Sequence, residues 1–187
     1  MQGWAPVELN ERGRKQSREL GSVLAATYEF DHVLASDLLR ARETAALLRE
    51  AGVEPAPRFE RDWRERDVGV YQGFTREELS GRFPAFTVAS GAVALDVHPE
   101  GGERLRDVCE RVTLAWRRLC DRARGGTALV VTHGGPILIV LAVVTGTDII
   151  TTIENNSVSN CTITEVCPEA GVVHRQNTQP TDLHEGD

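Results

Sequence analysis

Residues 127–136 read Thr-Ala-Leu-Val-Val-Thr-His-Gly-Gly-Pro, and this stretch decides the fold. An unbroken β-prone run from Thr127 to Thr132 is what a parallel strand buried on both faces requires, since neither face can carry polar side chains. The run stops at His133-Gly134-Gly135-Pro136, and a helix is expected from Pro136, which suits the first helical position. Two glycines directly after a histidine let the backbone pass close to a ligand, and the N-terminus of a helix favours an anion. Alone, His133 is ambiguous, because many histidines at such turns only cap backbone groups.

Working outward, residues 9–28 place Leu20, Val23, Leu24 and Thr27 at helical spacing, with Asn10 as N-cap. His32 to Ala35 form a short apolar strand ending at Ser36-Asp37, which is read as the cap of a second helix running to about Glu50 and stopped by Gly52. Residues 58–74 mix charges with Gly69 and Gly73 and read as loop or short strand. Thr75 followed by Glu77 and Glu78 resembles a helix start. Residues 86–101 lack clear periodicity and are expected to be a variable excursion. From Glu103 to Ala123, Leu105, Val108, Val112, Leu114, Ala115 and Leu119 make an apolar helical stripe. Beyond Gly146, residues 158–166 and 172–176 read as a strand hairpin, and residues 179–187 as a disordered tail.

Helices alternating with buried strands give an α/β class: a three-layer α/β/α sandwich with a mostly parallel central sheet, in one domain over residues 1–187. In such sheets ligands sit beyond the carboxyl ends of the strands, so Ser36-Asp37 and His133-Gly134 belong to one face.

With 41% hydrophobic and 26% charged residues, the composition is that of a soluble protein. The longest apolar run, Ile137 to Val144, is too short to span a bilayer. No signal peptide is visible, and cytoplasmic location is the expectation. A net charge of −7 argues against nucleic-acid binding, which needs a basic face. Lys15 is the only lysine, so arginine supplies nearly all the basic groups, and its fork can bind two phosphate oxygens at once. Cys109, Cys120, Cys161 and Cys167 form no CxxC pair and have no zinc-finger histidines, which favours reduced thiols. No metal-ligand cluster is visible, and no cofactor is expected.

Three strings then acquire meaning together: Ser36–Ala45 (SDLLRARETA), residues 62–73 (DWRERDVGVYQG) and residues 130–136 (VVTHGGP). In order and spacing they resemble the histidine phosphatase, or phosphoglycerate mutase-like, superfamily. Gln2-Gly3-Trp4 with Leu9, Gly13 and Gln16 is similar to that family's QGW element. Gly102-Glu103-Arg104 matches its GES element except at the last position, and residues 155–158 resemble the start of its closing strand. The resemblance covers nearly the whole chain. It implies a phosphoglycerate mutase-like fold in which His133 stabilises the transferring phosphoryl group, Arg40 clamps phosphate and Glu65 protonates the leaving oxygen. Arg66 matches a residue that touches substrate, as a surface charge run would also explain. Gly134, Gln2 and Gly3 would line the substrate site.

The resemblance also implies a nucleophilic histidine and a clamp arginine in an RHG element some fifteen to twenty residues before QGW, a position preceded here only by Met1. The expectation is that the first central strand is missing from this chain and that Met1 is an internal methionine of a longer reading frame. Loss of such a strand forfeits on the order of 10 kcal/mol of apolar burial, comparable to a domain's net stability of ~5–15 kcal/mol.

The residue types fit phosphoryl transfer, in which cationic and hydrogen-bonding groups stabilise charge on the phosphoryl oxygens. The expected activity is metal-independent phosphomonoester hydrolysis through a phosphohistidine, with a small phosphorylated metabolite as substrate. A 2,3-bisphosphoglycerate-dependent mutase is the alternative, disfavoured because residues 75–101 carry only Arg76 and Arg82 as basic grips. An inactive phospholigand-binding or scaffold protein is the third reading. The residues name no substrate, and a homodimer stays open.

Overall fold

The computed structural model describes residues 1–82 and 93–184. In chain order the elements are α1 (Glu11–Thr27), β1 (His32–Ser36), α2 (Leu39–Glu50), β2 (Arg58–Glu60), α3 (Arg76–Arg82), α4 (Val93–Asp96), α5 (Leu105–Arg122), β3 (Ala128–Val131), α6 (Gly134–Thr145), α7 (Ile149–Asn155), β4 (Ile163–Cys167) and β5 (Val172–Thr178). Three 3₁₀ turns, Arg61–Trp63, Gly69–Tyr71 and Pro180–His184, complete them.

The central sheet is parallel in the order β2-β1-β3, with Leu34 opposite Arg58 on one side and Val130 on the other. Its two faces are buried by different helices. Leu20, Leu24, Val33, Leu48 and Val53 form one cluster, against which Leu129 and Val131 pack. Leu34, Trp63, Val108, Val112, Ala115, Leu119, Ile139 and Val140 form the other, against which Ala128 and Val130 pack. Thus α1 and α2 cover one face and α5 and α6 the other, which is the α/β/α sandwich expected. Strands β4 and β5 pair antiparallel as a separate hairpin.

Local signals explain most boundaries. Asn10 Oδ1 accepts the Gly13 N–H at 2.8 Å and starts α1. Gly52 ends the α2 region at φ +106°, a conformation costly for other residues. Thr75 and Glu78 form a reciprocal capping box, Thr75 Oγ1 accepting the Glu78 N–H and Glu78 Oε2 accepting the Thr75 N–H. On α5, Val108, Val112, Ala115 and Leu119 are buried as the stripe predicts, whereas Leu114 lies off it and is exposed.

Three expectations need correction, and one helix is added. Ser36 and Asp37 do not cap α2, whose N-cap is Leu38 without a side-chain bond, because both polar groups have other partners described below. Helix α6 begins at Gly134, two residues before Pro136. Strand β3 is half-buried at all four positions, not fully buried, because among the described residues it pairs only with β1 and its other edge carries no ladder. Helix α7 falls in a stretch to which the sequence assigns no element, and its signal is Asp148, whose Oδ1 accepts the Ile150 and Thr151 N–H groups.

Within the expected tail, Pro180–His184 make a 3₁₀ turn and Leu183 is buried. Of the excursion at 86–101, residues 86–92 lie outside the described residues, as do 185–187 of the tail. No single helix among the described residues is long and apolar enough to cross a membrane.

Candidate functional site

Strands β1 and β3 run parallel and in register, so their carboxyl ends bring Ser36 and His133 together. His133 occupies the N-cap position of α6 but makes no side-chain capping bond. Its Nε2 instead lies 2.8 Å from Ser36 Oγ, a hydroxyl with no solvent exposure that also accepts the Leu38 N–H. Burial lowers the His133 pKa to about 3, and the positive charges of Arg40 and Arg111 push in the same direction. The imidazole is therefore neutral at ordinary pH and carries one N–H donor and one lone pair.

Arg40 projects from the first turn of α2. One of its nitrogens, Nη2, donates to the Gly3 carbonyl at 2.9 Å, while Nη1 is buried without a partner among the described residues. Burial lowers the Arg40 pKa, and the nearby Glu65 carboxylate opposes that shift. A buried guanidinium with an unused donor is costly unless an acceptor arrives, and a phosphate oxygen is the acceptor whose geometry it fits. Gly3 itself sits at φ +50°, and a Cβ there would press on Val68. Gln2 is exposed and enters this turn through its carbonyl, which accepts the Ala5 N–H.

Glu65 follows the 3₁₀ turn after β2. Its Oε1 accepts the Arg66 N–H at 2.8 Å and its Oε2 the Gly135 N–H at 3.2 Å, which ties the carboxylate to the start of α6. A Cβ at Gly135 would collide with Glu65 Oε1, whereas one at Gly134 would meet only Val158 at 3.8 Å. Among the described residues Glu65 makes no ion pair, so the salt bridges with Arg64 or Arg66 that its sequence context offers are not formed. Arg64 instead grips Asp37 at 2.5 and 2.7 Å, and this bidentate bond holds the Asp37 pKa down.

Of the seven candidate residues, the fold thus brings His133, Arg40, Glu65, Gly3 and Gly134 to one end of the sheet. Arg66 is built into the scaffold: its guanidinium donates to the Glu103 and Val97 carbonyls at 2.9 and 2.7 Å.

Three participants escaped sequence reasoning. Ser36 was read as a cap, and Trp4 only as part of a motif, although its Nε1–H donates to the Glu65 carbonyl at 2.7 Å. Arg111 was not singled out; its signal was a basic residue beside the buried stripe of α5, eight residues after Glu103. Among the described residues no group of three or more His, Cys, Asp or Glu could hold a metal ion.

A neutral imidazole, a buried guanidinium and a carboxylate facing one point can bind an oxyanion and move a proton. Known proteins agree with that chemistry. A profile of the histidine phosphatase superfamily (branch 1) matches residues 1–177. Phosphoglycerate mutase-like protein 4 of Arabidopsis thaliana is 38% identical over 138 residues, 73% of this chain and 60% of that protein. A 2,3-bisphosphoglycerate-dependent phosphoglycerate mutase of Methylobacterium radiotolerans is 34% identical over 149 residues, 77% of this chain and 70% of that one. The chain therefore spans only about three fifths to seven tenths of these relatives' length. Among solved structures, a mycobacterial glucosyl-3-phosphoglycerate phosphatase with inorganic phosphate superposes with a TM-score of 0.80 at 25% identity, covering 96% of this chain and 92% of that one. With a profile matched over nearly its full length and the residues of the three central motifs gathered at one sheet end, the chain belongs to the histidine phosphatase superfamily.

Proposed function

We propose that this protein hydrolyses phosphomonoesters of small metabolites through a phosphohistidine. The observation that carries the reading is the buried, partnerless Nη1 of Arg40 beside His133 and Glu65 at the strand ends. Arg40 and the His133 N–H bind phosphoryl oxygens, and both interactions strengthen as charge spreads over them in the transition state. An imidazole nitrogen attacks phosphorus, the P–O bond to the ester oxygen breaks, and Glu65 gives that oxygen its proton. The resulting carboxylate then takes a proton from water, whose oxygen attacks the phosphohistidine and releases phosphate. Each step is carried by side chains and water.

The attacking imidazole is none of His32, His98 and His174. His32 opens β1 at the opposite end of the sheet, His98 is exposed with Nε2 at 3.0 Å from the Gly102 carbonyl, and His174 lies exposed on the hairpin. We assign the attack to an imidazole other than these three. The test is turnover of p-nitrophenyl phosphate by residues 1–187 and by a version extended through the upstream codons, together with Arg40→Gln in the active form. Activity confined to the extended form, with kcat/KM lowered by ~10²-fold or more in Arg40→Gln, supports the reading. Efficient turnover by residues 1–187 that is lost on replacing His32, His98 or His174 contradicts the assignment of the nucleophile.

The identities to phosphoglycerate mutases favour a second reading, a 2,3-bisphosphoglycerate-dependent mutase. Conversion of 3- to 2-phosphoglycerate faster than release of phosphate would establish it.

A further inference from the structure

Helix α5 carries an arginine, Arg111, that makes five hydrogen bonds, three to the segment that bears Glu65 and two to Glu103. Arg111 Nη1 donates to the carbonyls of Asp62 and Arg64, each at 2.9 Å, and Nη2 to that of Glu65 at 3.0 Å. Its Nε and Nη2 also hold both carboxylate oxygens of Glu103 at 2.9 Å. Glu103 reaches the same segment. Its Oε2 accepts the Asp67 N–H at 2.9 Å, its own N–H donates to the Asp67 carbonyl at 2.9 Å, and its carbonyl accepts from Arg66 Nε. Both side chains are largely buried, at 16% and 20% exposure. Burial alone would raise the Glu103 pKa, but the bonds from Arg111 and Asp67 outweigh it and the carboxylate stays ionised.

We infer that the Arg111–Glu103 pair is the positioning element for Glu65, fixing the backbone of residues 62–67 so that the Glu65 carboxylate meets the Arg66 and Gly135 N–H groups. The inference rests on the proposed role of Glu65 as proton donor. The physical reason is that residues 61–73 form no long helix or strand: two 3₁₀ turns flank Glu65, and turns supply few backbone bonds of their own. Carbonyls pointing inward from such a segment need donors, and one planar guanidinium provides several in a fixed geometry that an ammonium cannot copy. Neither residue touches the reacting atoms. Their effect passes through the Glu65 backbone, where the Trp4 indole bonds the same carbonyl from another side.

The experiment compares Arg111→Lys and Glu103→Gln with wild type in the folded, full-length protein. Arg118→Ala is the control, since Arg118 pairs with the Asp62 side chain at the surface of the same segment. Amide hydrogen exchange is the first readout. Both variants are expected to speed exchange of the Arg66 and Gly135 amides by about tenfold or more while the β1–β3 ladder amides stay unchanged. The second readout is kcat on an alkyl phosphate and on p-nitrophenyl phosphate. About tenfold or greater loss on the alkyl ester with less than threefold loss on the aryl ester is expected, because only the former needs the proton. Unchanged exchange at Arg66 and Gly135, or equal acceleration at the ladder, overturns the inference. If the wild type hydrolyses neither ester, the proposed function falls, and exchange still decides the positioning role by itself.

Discussion

His133 Nε2 and Ser36 Oγ stand 2.8 Å apart, joining the carboxyl ends of β3 and β1 across 97 residues of chain. The bond is buried, and that burial holds the histidine neutral. In the native protein His133 stays neutral down to about pH 3, while in the unfolded chain it takes up a proton below about 6.5. The unfolded state thus binds more protons between these values, and stability falls as pH falls through that window. From pH 7 to pH 5 this one group removes about 2 kcal/mol, by the linkage relation at 1.36 kcal/mol per unit. Unfolding free energies from urea titrations at the two pH values should therefore differ by about 2 kcal/mol less in His133→Asn than in wild type. An unaltered difference would show that His133 does not titrate low.

Gly134 and Gly135 are adjacent in sequence, yet their surroundings differ. A Cβ at Gly135 lands on Glu65 Oε1, and one at Gly134 has ordinary contact distance to Val158. Gly135→Ala should displace the Glu65 carboxylate and destabilise the fold by about 0.5–1.5 kcal/mol through loss of its bond to the Gly135 N–H. Gly134→Ala should leave stability unchanged or raise it by up to ~1 kcal/mol, as alanine favours a helix. Thermal unfolding of the two variants checks the ordering.

His133→Ala in the active form should lower kcat by ~10²–10³-fold, the scale of losing a donor to transition-state charge. His98→Ala should stay within about twofold of wild type, as surface groups away from the site usually do. Comparable losses in both would place the site elsewhere.

Glu65→Gln should slow alkyl phosphate hydrolysis by ~10²–10⁴-fold and p-nitrophenyl phosphate hydrolysis far less. An alkoxide needs a proton to depart, and nitrophenolate does not. Circular dichroism should confirm the fold, and equal losses on both esters would remove Glu65 from proton transfer.

The sequence by itself determined the elements whose signals are local. The run from Thr127 to Thr132 gave β3, Asn10 the start of α1, and the stripe Val108, Val112, Ala115, Leu119 the buried face of α5. Motif order was enough to select His133, Arg40 and Glu65, because strand-end chemistry is written in short strings. Only the tertiary structure decided what those polar groups bond to. Ser36 looked like a cap and holds His133, and Arg64, one residue before Glu65, holds Asp37. Arg66 bonds the Glu103 carbonyl, and Arg111, 46 residues from Glu65 in the chain, grips the Glu65 carbonyl. A short string fixes backbone conformation through neighbours a few residues away. A buried polar group takes whichever partner the packed layers bring within 3 Å, and that partner lies far along the chain.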